Sequence, residues 1–308
     1  MGDFNTNATI VDNSLREIKK HGTDGFPFAM YLDDFSNFKN GYICWHWHDE
    51  VQLTFILEGE FTCQVNNDKV VMKPGDIVFI NSCALHQICP CKKSFGKLYS
   101  FIWQADRIAL SPESDAFTNC ISPILNMQQK LLFFAADTNY NKQLKTALSR
   151  VTNLMTEKQK LYELRIYNQI SKLWLDICDY ISYTDSNDLS GATAASSYTS
   201  RIKDEERVKN ALLYMQDNYN EDISLDDIAK AAMTSRSELC KSFKRTLDTS
   251  PKEFLIQYRI RQSTILLENP DLRISDISEM TGFSSPSHYG SAFLKHMGCT
   301  PLQYRKNL

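Results

Sequence analysis

The chain has 308 residues, with 34 Lys and Arg against 37 Asp and Glu and 43% apolar residues, which at about 150 residues per domain predicts roughly two folded domains. Charged residues at 23%, with only 11 Gly and 9 Pro, exclude collagen-like and disordered chains. No run approaches the ~18 unbroken apolar residues of a membrane span, and nine scattered Cys read as reduced thiols rather than a disulfide framework.

Residues 1–25 read as a polar N-terminal arm. The stretch from Met1 to Ser14 lacks the basic-then-apolar order of a secretion signal, so a cytoplasmic location and no membrane partner are expected. Met1 to Thr6 fits the loose N-myristoylation pattern, but no basic cluster or nearby Cys supplies a second anchor. Residues 26–127 have a β texture. The runs Val51 to Leu57, Phe61 to Val65, Val70 to Met72, Ile77 to Ile80 and Leu98 to Trp103 are separated by turns such as Glu58-Gly59-Glu60 and Lys73-Pro74-Gly75-Asp76, the pattern of a small barrel or sandwich.

From 128 to 183 the period becomes helical. Leu144, Leu148, Val151 and Met155 form one stripe, and Ile166, Ile170, Leu173, Ile177 and Ile181 another. Such helices either cover the β-domain or form a dimer seam, as a dimerisation or coupling segment. Residues 184–200, rich in Ser, Thr and Ala, read as a linker.

Residues 201–308 are helical and carry an internal repeat. At a shift of 50, Leu239 meets Tyr289, Phe243 meets Phe293, Ser250-Pro251 meets Thr300-Pro301 and Phe254 meets Tyr304; upstream, Ile228 meets Ile277 at 49, so one residue is inserted in the turn between. Each copy is a short helix (Leu225 to Ala232, Ser275 to Met280), a small-residue turn and a second helix. Ser235 with Glu238 predicts a capping box, and Ser285-Pro286 an N-cap with Pro at the first helical position. With Leu239 and Phe243 buried, Ser237, Lys241 and Lys244 must point outward. A helix with a polar, basic outer face suits the major groove of double-stranded DNA, and residues 236–261 hold seven basic against three acidic residues.

Residues 207–306 resemble the tandem helix-turn-helix domain of AraC/XylS-type transcription regulators. The resemblance is carried by Ile274-Ser275-Asp276-Ile277, Gly282-Phe283, Ser287-His288-Tyr289, Phe293, Gly298-Cys299-Thr300-Pro301 and Tyr304-Arg305. It implies two units joined by a long helix, here Pro251 to Glu268, entering successive major-groove segments. It places Ser237, Cys240, Lys241, Ser287, His288 and Ser291 against bases. Arg236, Lys244, Arg245, Arg259, Arg261 and Lys295 are the expected phosphate contacts. The family often has Gly where Asp248 stands, Arg where Ser291 stands and Lys where Leu294 stands, so the first unit is expected to supply most direct readout.

In the front domain, His46-Trp47-His48 is followed after three residues by Gln52, after six more by Gly59, then by Pro74-Gly75-Asp76 and His86. This spacing resembles the cupin double-stranded β-helix, although Asn81 and Cys83 occupy its usual Pro and Gly places. Three imidazoles suit a divalent metal, but Gln52 stands where the carboxylate ligand belongs. The expectation is therefore no metal and no cofactor. His46, His48, Gln52 and His86, with Trp45 and Trp47 beside them, are expected instead to form an effector pocket, with a carbohydrate as the effector by analogy. Cys89-Pro90-Cys91 is expected to be structural or incidental.

The implied fold is multidomain α+β: a cupin-like β-barrel with a helical pair, then an all-α tandem helix-turn-helix domain. The implied protein is not an enzyme but an effector-controlled transcription regulator, a homodimer with promoter DNA and RNA polymerase as partners. The alternatives are a metal-dependent cupin enzyme fused to a DNA-targeting domain, and a thiol redox regulator acting through Cys89 and Cys91.

Overall fold

The computed structural model of the chain describes residues 11–12, 15–37, 43–91, 95–109, 111–187 and 194–306. It has a front unit spanning Arg16–Ala194 and a rear unit spanning Ala195–Leu308. The Met1 to Thr6 pattern lies outside the described residues.

The front unit contains strands β1 (Phe28–Asp34), β2 (Ile43–His46), β3 (Val51–Glu58), β4 (Phe61–Val65), β5 (Asp68–Met72), β6 (Ile77–Ile80), β7 (His86–Pro90), β8 (Lys97–Trp103) and β9 (Leu131–Phe134). They form a five-stranded sheet ordered β1-β8-β3-β6-β9 and a four-stranded sheet ordered β2-β7-β4-β5. Between the sheets, Ile56, Val78, Ile80 and Leu98 of the first pack with Phe61, Cys63, Val65, Met72 and Ile88 of the second. All four residues of β6 are buried, as a central strand covered on both faces requires. The turns are set by backbone geometry: Gly59 has φ +82°, and a Cβ there would stand 2.7 Å from the Phe95 carbonyl oxygen. Cys83, in the place where the cupin motif carries Gly, has the same left-handed backbone at φ 58°.

The short helix α1 (Ser122–Leu125) precedes β9, and the long pair α2 (Asn139–Glu157) and α3 (Tyr162–Asn187) follows it. Residues 131–134, expected to lie in helical sequence, instead form β9 and pair with β6. Four consecutive apolar residues do not distinguish a buried strand from a helix turn. The two apolar stripes are spent inside the unit. Leu144, Leu148, Val151, Ile166, Ile170, Leu173, Trp174 and Ile177 are buried against Leu53, Phe79, Phe101 and Trp103 of the larger sheet. At roughly 1.5–3 kcal/mol for each large apolar side chain buried, covering the sheet is the main role of these stripes.

The expected linker at 184–200 is helical at both ends: α3 runs to Asn187, and α4 (Ala194–Asp217) starts before 200. The rear unit continues with α5 (Leu225–Ala231), α6 (Arg236–Leu247), α7 (Pro251–Leu266), α8 (Ile274–Met280), α9 (Pro286–Met297) and α10 (Pro301–Lys306). Its caps explain its boundaries. The Ser224, Ser235, Ser250 and Ser285 side chains each accept from the backbone N–H three residues on. Glu238 does not complete a capping box with Ser235, because its carboxylate is taken by Arg245 and Arg207. The helix-turn-helix turns use left-handed residues, Met233 at φ 49° in the first copy and Gly282 at φ 74° in the second. Among the described residues, no helix is long and apolar enough to cross a membrane.

Candidate functional site

In the front unit, antiparallel pairing of β2 with β7 sets His46 directly opposite His86. Their ring centroids are 4.1 Å apart, and His48 lies 5.8 Å from His46 and 5.1 Å from His86. All three are buried, and a ligating atom from each lies within 4.8 Å of the others. His86 Nδ1 is 2.8 Å from the Ala84 carbonyl oxygen, so Nδ1 carries the proton and Nε2 is left as a buried acceptor without a partner. His48 Nδ1 is likewise 3.1 Å from the Glu50 carbonyl oxygen. Burial, with the nearby His21, drives His48 down to about 4, and burial holds His86 well below the ordinary imidazole range. His48 and His86 are therefore neutral at pH 7. The Gln52 amide lies between His48 Nε2 at 3.2 Å and the Thr54 hydroxyl at 2.8 Å.

Residues for which the sequence suggested no role complete this end of the barrel. Arg16 bridges to Trp47, the Glu17 N–H donates to the Trp47 carbonyl at 2.9 Å, and the Arg16 guanidinium pairs with Asp49. The arm is thus docked by backbone bonds along the end of β2. Docking buries Glu17 and His21. Glu17 Oε2 is 3.1 Å from His21 Nε2 and 3.9 Å from His46 Nε2, and His21 Nδ1 is 3.2 Å from the Tyr31 hydroxyl. Burial pushes the Glu17 carboxyl up, but the hydrogen bond to His21 and the neighbouring imidazoles hold it below its usual range.

Beside the cluster is a cavity of about 40 Å³ lined by Glu17, Lys19, His21, Tyr31, Asp33, His46, Gln52 and Ser100, with Ile43, Ile88 and Ile102 as its apolar wall. The expected pocket residues His46 and Gln52 face it. Trp45 is 5% exposed and belongs to the buried interior, while Trp47 stacks under Arg16, so neither Trp lines the cavity. The Glu17 and His21 pair, spaced i,i+4, is the only signal the sequence offered, and it says nothing about which distant strand the pair meets. Cys89 and Cys91, on and just after β7, are not joined in a disulfide.

In the rear unit, Ser237, Lys241 and Lys244 are exposed along one face of α6, and Ser287, His288 and Ser291 along α9; Cys240 is half-buried. Opposite them, Leu239, Phe243, Tyr289 and Phe293 are fully buried. The expected phosphate contacts differ among themselves. Arg236 pairs with Asp226, Lys244 with Asp248, and Lys295 with Glu253 at 2.8 Å. All three are exposed ion pairs, worth about 0–1 kcal/mol, so a phosphate displaces them readily. Arg245 is held more firmly: Nε and a terminal nitrogen donate to both oxygens of buried Asp204 at 2.7 and 2.9 Å, and the latter nitrogen also donates to Glu238. Arg259 corrects the expectation. It is 9% exposed and donates to the Tyr219 and Glu221 carbonyl oxygens at 2.7 and 2.6 Å, which makes it an internal clamp rather than a phosphate contact. Arg261 is half-buried on α7.

Residues 228–307 match a helix-turn-helix domain family and residues 39–89 a cupin domain family. The chain is 32% identical over 298 residues to the HTH-type transcriptional regulator YdeC of Bacillus subtilis, an alignment covering 96% of this chain and 98% of that protein. It is 25% identical over 263 residues to the Msm operon regulatory protein of Streptococcus mutans, covering 84% and 85% of the two chains. To the melibiose operon regulatory protein of Escherichia coli it is 24% identical over 278 residues, covering 85% and 83%. A front β-domain followed by paired helix-turn-helix units is a regulator architecture, and the chain belongs to the AraC-type helix-turn-helix transcriptional regulators. It is a DNA-binding regulator of transcription with a cupin domain in front of its helix-turn-helix domain.

Proposed function

We propose that this regulator reads promoter DNA chiefly through α6 and takes a small polar effector at the closed end of its cupin domain. The observation that carries the first part is the exposed row Ser237, Lys241 and Lys244, set over a fully buried Leu239 and Phe243. The matching row on α9 is Ser287, Ser291 and Leu294, with Leu294 49% exposed where a cation would help. Base readout therefore rests on Lys241 first, with Ser237, Cys240, Ser287, His288 and Ser291 contributing less. Arg236, Lys244 and Lys295 exchange their carboxylate partners for phosphates.

Fluorescence anisotropy on DNA from upstream of the regulator's own gene tests this. Lys241→Ala is expected to cost about 1–3 kcal/mol of discrimination between specific and shuffled DNA, and Ser291→Ala much less. Equal losses contradict the ranking.

The second part rests on the cavity, whose carboxylates, hydroxyls and amide suit a polyhydroxyl ligand such as a carbohydrate, the class to which the melibiose regulator's name refers. About 40 Å³ is far below the ~300 Å³ of a typical small-molecule site, so a sugar enters only if the Glu17 segment moves. A sugar-dependent rise in Tm that disappears in Asp33→Ala supports this effector class, and no rise across mono- and disaccharides excludes it. A binding role without catalysis, a homodimeric state, contact with RNA polymerase and a cytoplasmic location complete the reading, by kinship with the other regulators.

A further inference from the structure

Glu238, Ser242 and Arg245 stand at i, i+4 and i+7 of α6 and share one face, about 100° round the helix from the row Ser237, Lys241 and Lys244. That face meets Asp204 of α4, which is 2% exposed. Asp204 Oδ1 accepts from the Ser242 hydroxyl at 2.7 Å and from Arg245 at 2.9 Å, and Oδ2 accepts from Arg245 Nε at 2.7 Å. Arg207, three residues on along α4, donates to Asp204 Oδ1 and to Glu238 Oε1, each at 3.3 Å. Glu238 Oε1 also accepts from Arg245 at 2.8 Å, and its other oxygen lies 3.8 Å from Lys241 Nζ. Burial pushes the Asp204 carboxyl up, but the hydrogen bonds from Arg245 and Ser242 hold it below its usual range, so it is charged at pH 7. In the second copy, His288, Ala292 and Lys295 stand at the places of Glu238, Ser242 and Arg245, and Lys295 pairs with Glu253 of α7 instead.

We infer that Asp204 is a positioning residue for DNA reading: it fixes the rotation of α6 through Ser242 and the planar fork of Arg245, and so aims Lys241 at the base edges, while Arg245 is withdrawn from the phosphate-contacting cations. The inference rests on the reading by α6 proposed above. A guanidinium that donates through two nitrogens to both oxygens of one carboxylate fixes angle as well as distance, which a lysine ammonium does not. Ser242 is fully buried and the Arg245 side chain 47% exposed, so the clamp runs from the packed interior of the rear unit to the edge of the reading face. Arg236 and Lys244 sit in exposed pairs that a phosphate displaces. Arg245 leaving for a phosphate would strip a buried carboxylate of its main counter-charge, which is far more costly.

The test is anisotropy of the full-length protein on upstream and shuffled DNA across a range of salt concentrations, with Arg245→Ala, Arg245→Lys and Asp204→Asn beside wild type. Each variant is expected to lower the preference for upstream DNA by about tenfold or more, as a misplaced base contact does. The double variant Asp204→Asn with Arg245→Ala should lose no more than the worse single one, because the two side chains act as a unit. The slope of log affinity against log salt should be the same for Arg245→Ala as for wild type. A preference kept by Arg245→Ala while its slope falls by about 0.9, with slope and affinity restored in Arg245→Lys, makes Arg245 an ordinary phosphate contact and overturns the inference. Arg207 and Ser242 still hold Asp204 when Arg245 is replaced, so the two Arg245 variants decide the matter even where Asp204→Asn fails to fold. A wild type without preference refutes the reading by α6 itself, whereas a wild-type preference kept by every variant refutes the clamp alone.

Discussion

Asp33 sits at 9% exposure in the cavity wall with the Ser100 hydroxyl donating to it at 3.1 Å, and burial, only partly offset by that hydrogen bond, raises its carboxyl to about 6. A folded-state value above the unfolded one means that the folded form holds the proton more tightly. The associated stability is complete below the unfolded value and is lost as pH rises through about 6. Asp33→Asn is therefore expected to be more stable than wild type at pH 8, by up to about 3 kcal/mol at ~1.4 kcal/mol per unit, with the gap narrowing toward pH 5. Urea unfolding at both pH values measures this, and a gap that widens on acidification refutes it. Gly282 is a second residue whose environment decides the outcome. A Cβ there would stand 2.3 Å from the Tyr219 carbonyl oxygen and 2.9 Å from the Arg259 guanidinium. Gly282→Ala should cost about 1–3 kcal/mol, whereas Met233→Gly, at the exposed turn of the first copy, should be neutral or stabilising by up to ~1 kcal/mol. A denaturant midpoint shift of equal size and sign for both would contradict the distinction.

At the level of elements, the local features were legible and the long-range ones were not. The second helix of each copy was placed by Ser235 and by Ser285-Pro286, and the outward row Ser237, Lys241 and Lys244 followed from period alone. The turn from β3 to β4, which carries the chain from one sheet to the other, was marked by Gly59. Strand β9 was missed because Leu131 to Phe134 is too short for its period to speak, and its paired residues on β6 lie 51 to 57 positions earlier in the chain. Glu17 and His21 were missed because their importance arises from the backbone bridge at Trp47, which no local pattern encodes. Arg259 looked like a surface cation because charge alone does not reveal that its donors are taken by Tyr219 and Glu221. Arg259→Ala is accordingly expected to destabilise the rear unit by about 1–3 kcal/mol through the loss of its two charge-assisted hydrogen bonds to the Tyr219 and Glu221 carbonyls. Arg236→Ala should leave stability within ~0.5 kcal/mol while weakening DNA binding and its salt dependence. Thermal unfolding and anisotropy on both variants separate an internal clamp from a phosphate contact, and a stable Arg259→Ala protein with weakened DNA binding reverses the assignment.

For the whole molecule, the division of labour is chemical. The front unit gathers buried imidazoles and two buried carboxylates around a small cavity, while the rear unit keeps Arg236, Lys244 and Lys295 on its surface in weak ion pairs and holds Arg245 and Arg259 in firmer contacts. DNA binding by the rear unit releases counterions, so affinity is expected to fall with salt, while the proposed function assigns the specific part to Lys241 and its neighbours. The most direct measurement is equilibrium binding of the full chain to its upstream DNA and to a shuffled fragment of the same composition, each across a range of salt concentrations. The account predicts at least a ~10³-fold preference for the upstream sequence, with affinity for both fragments falling as salt rises. Equal affinity for the two fragments at every salt concentration would contradict sequence reading by this molecule.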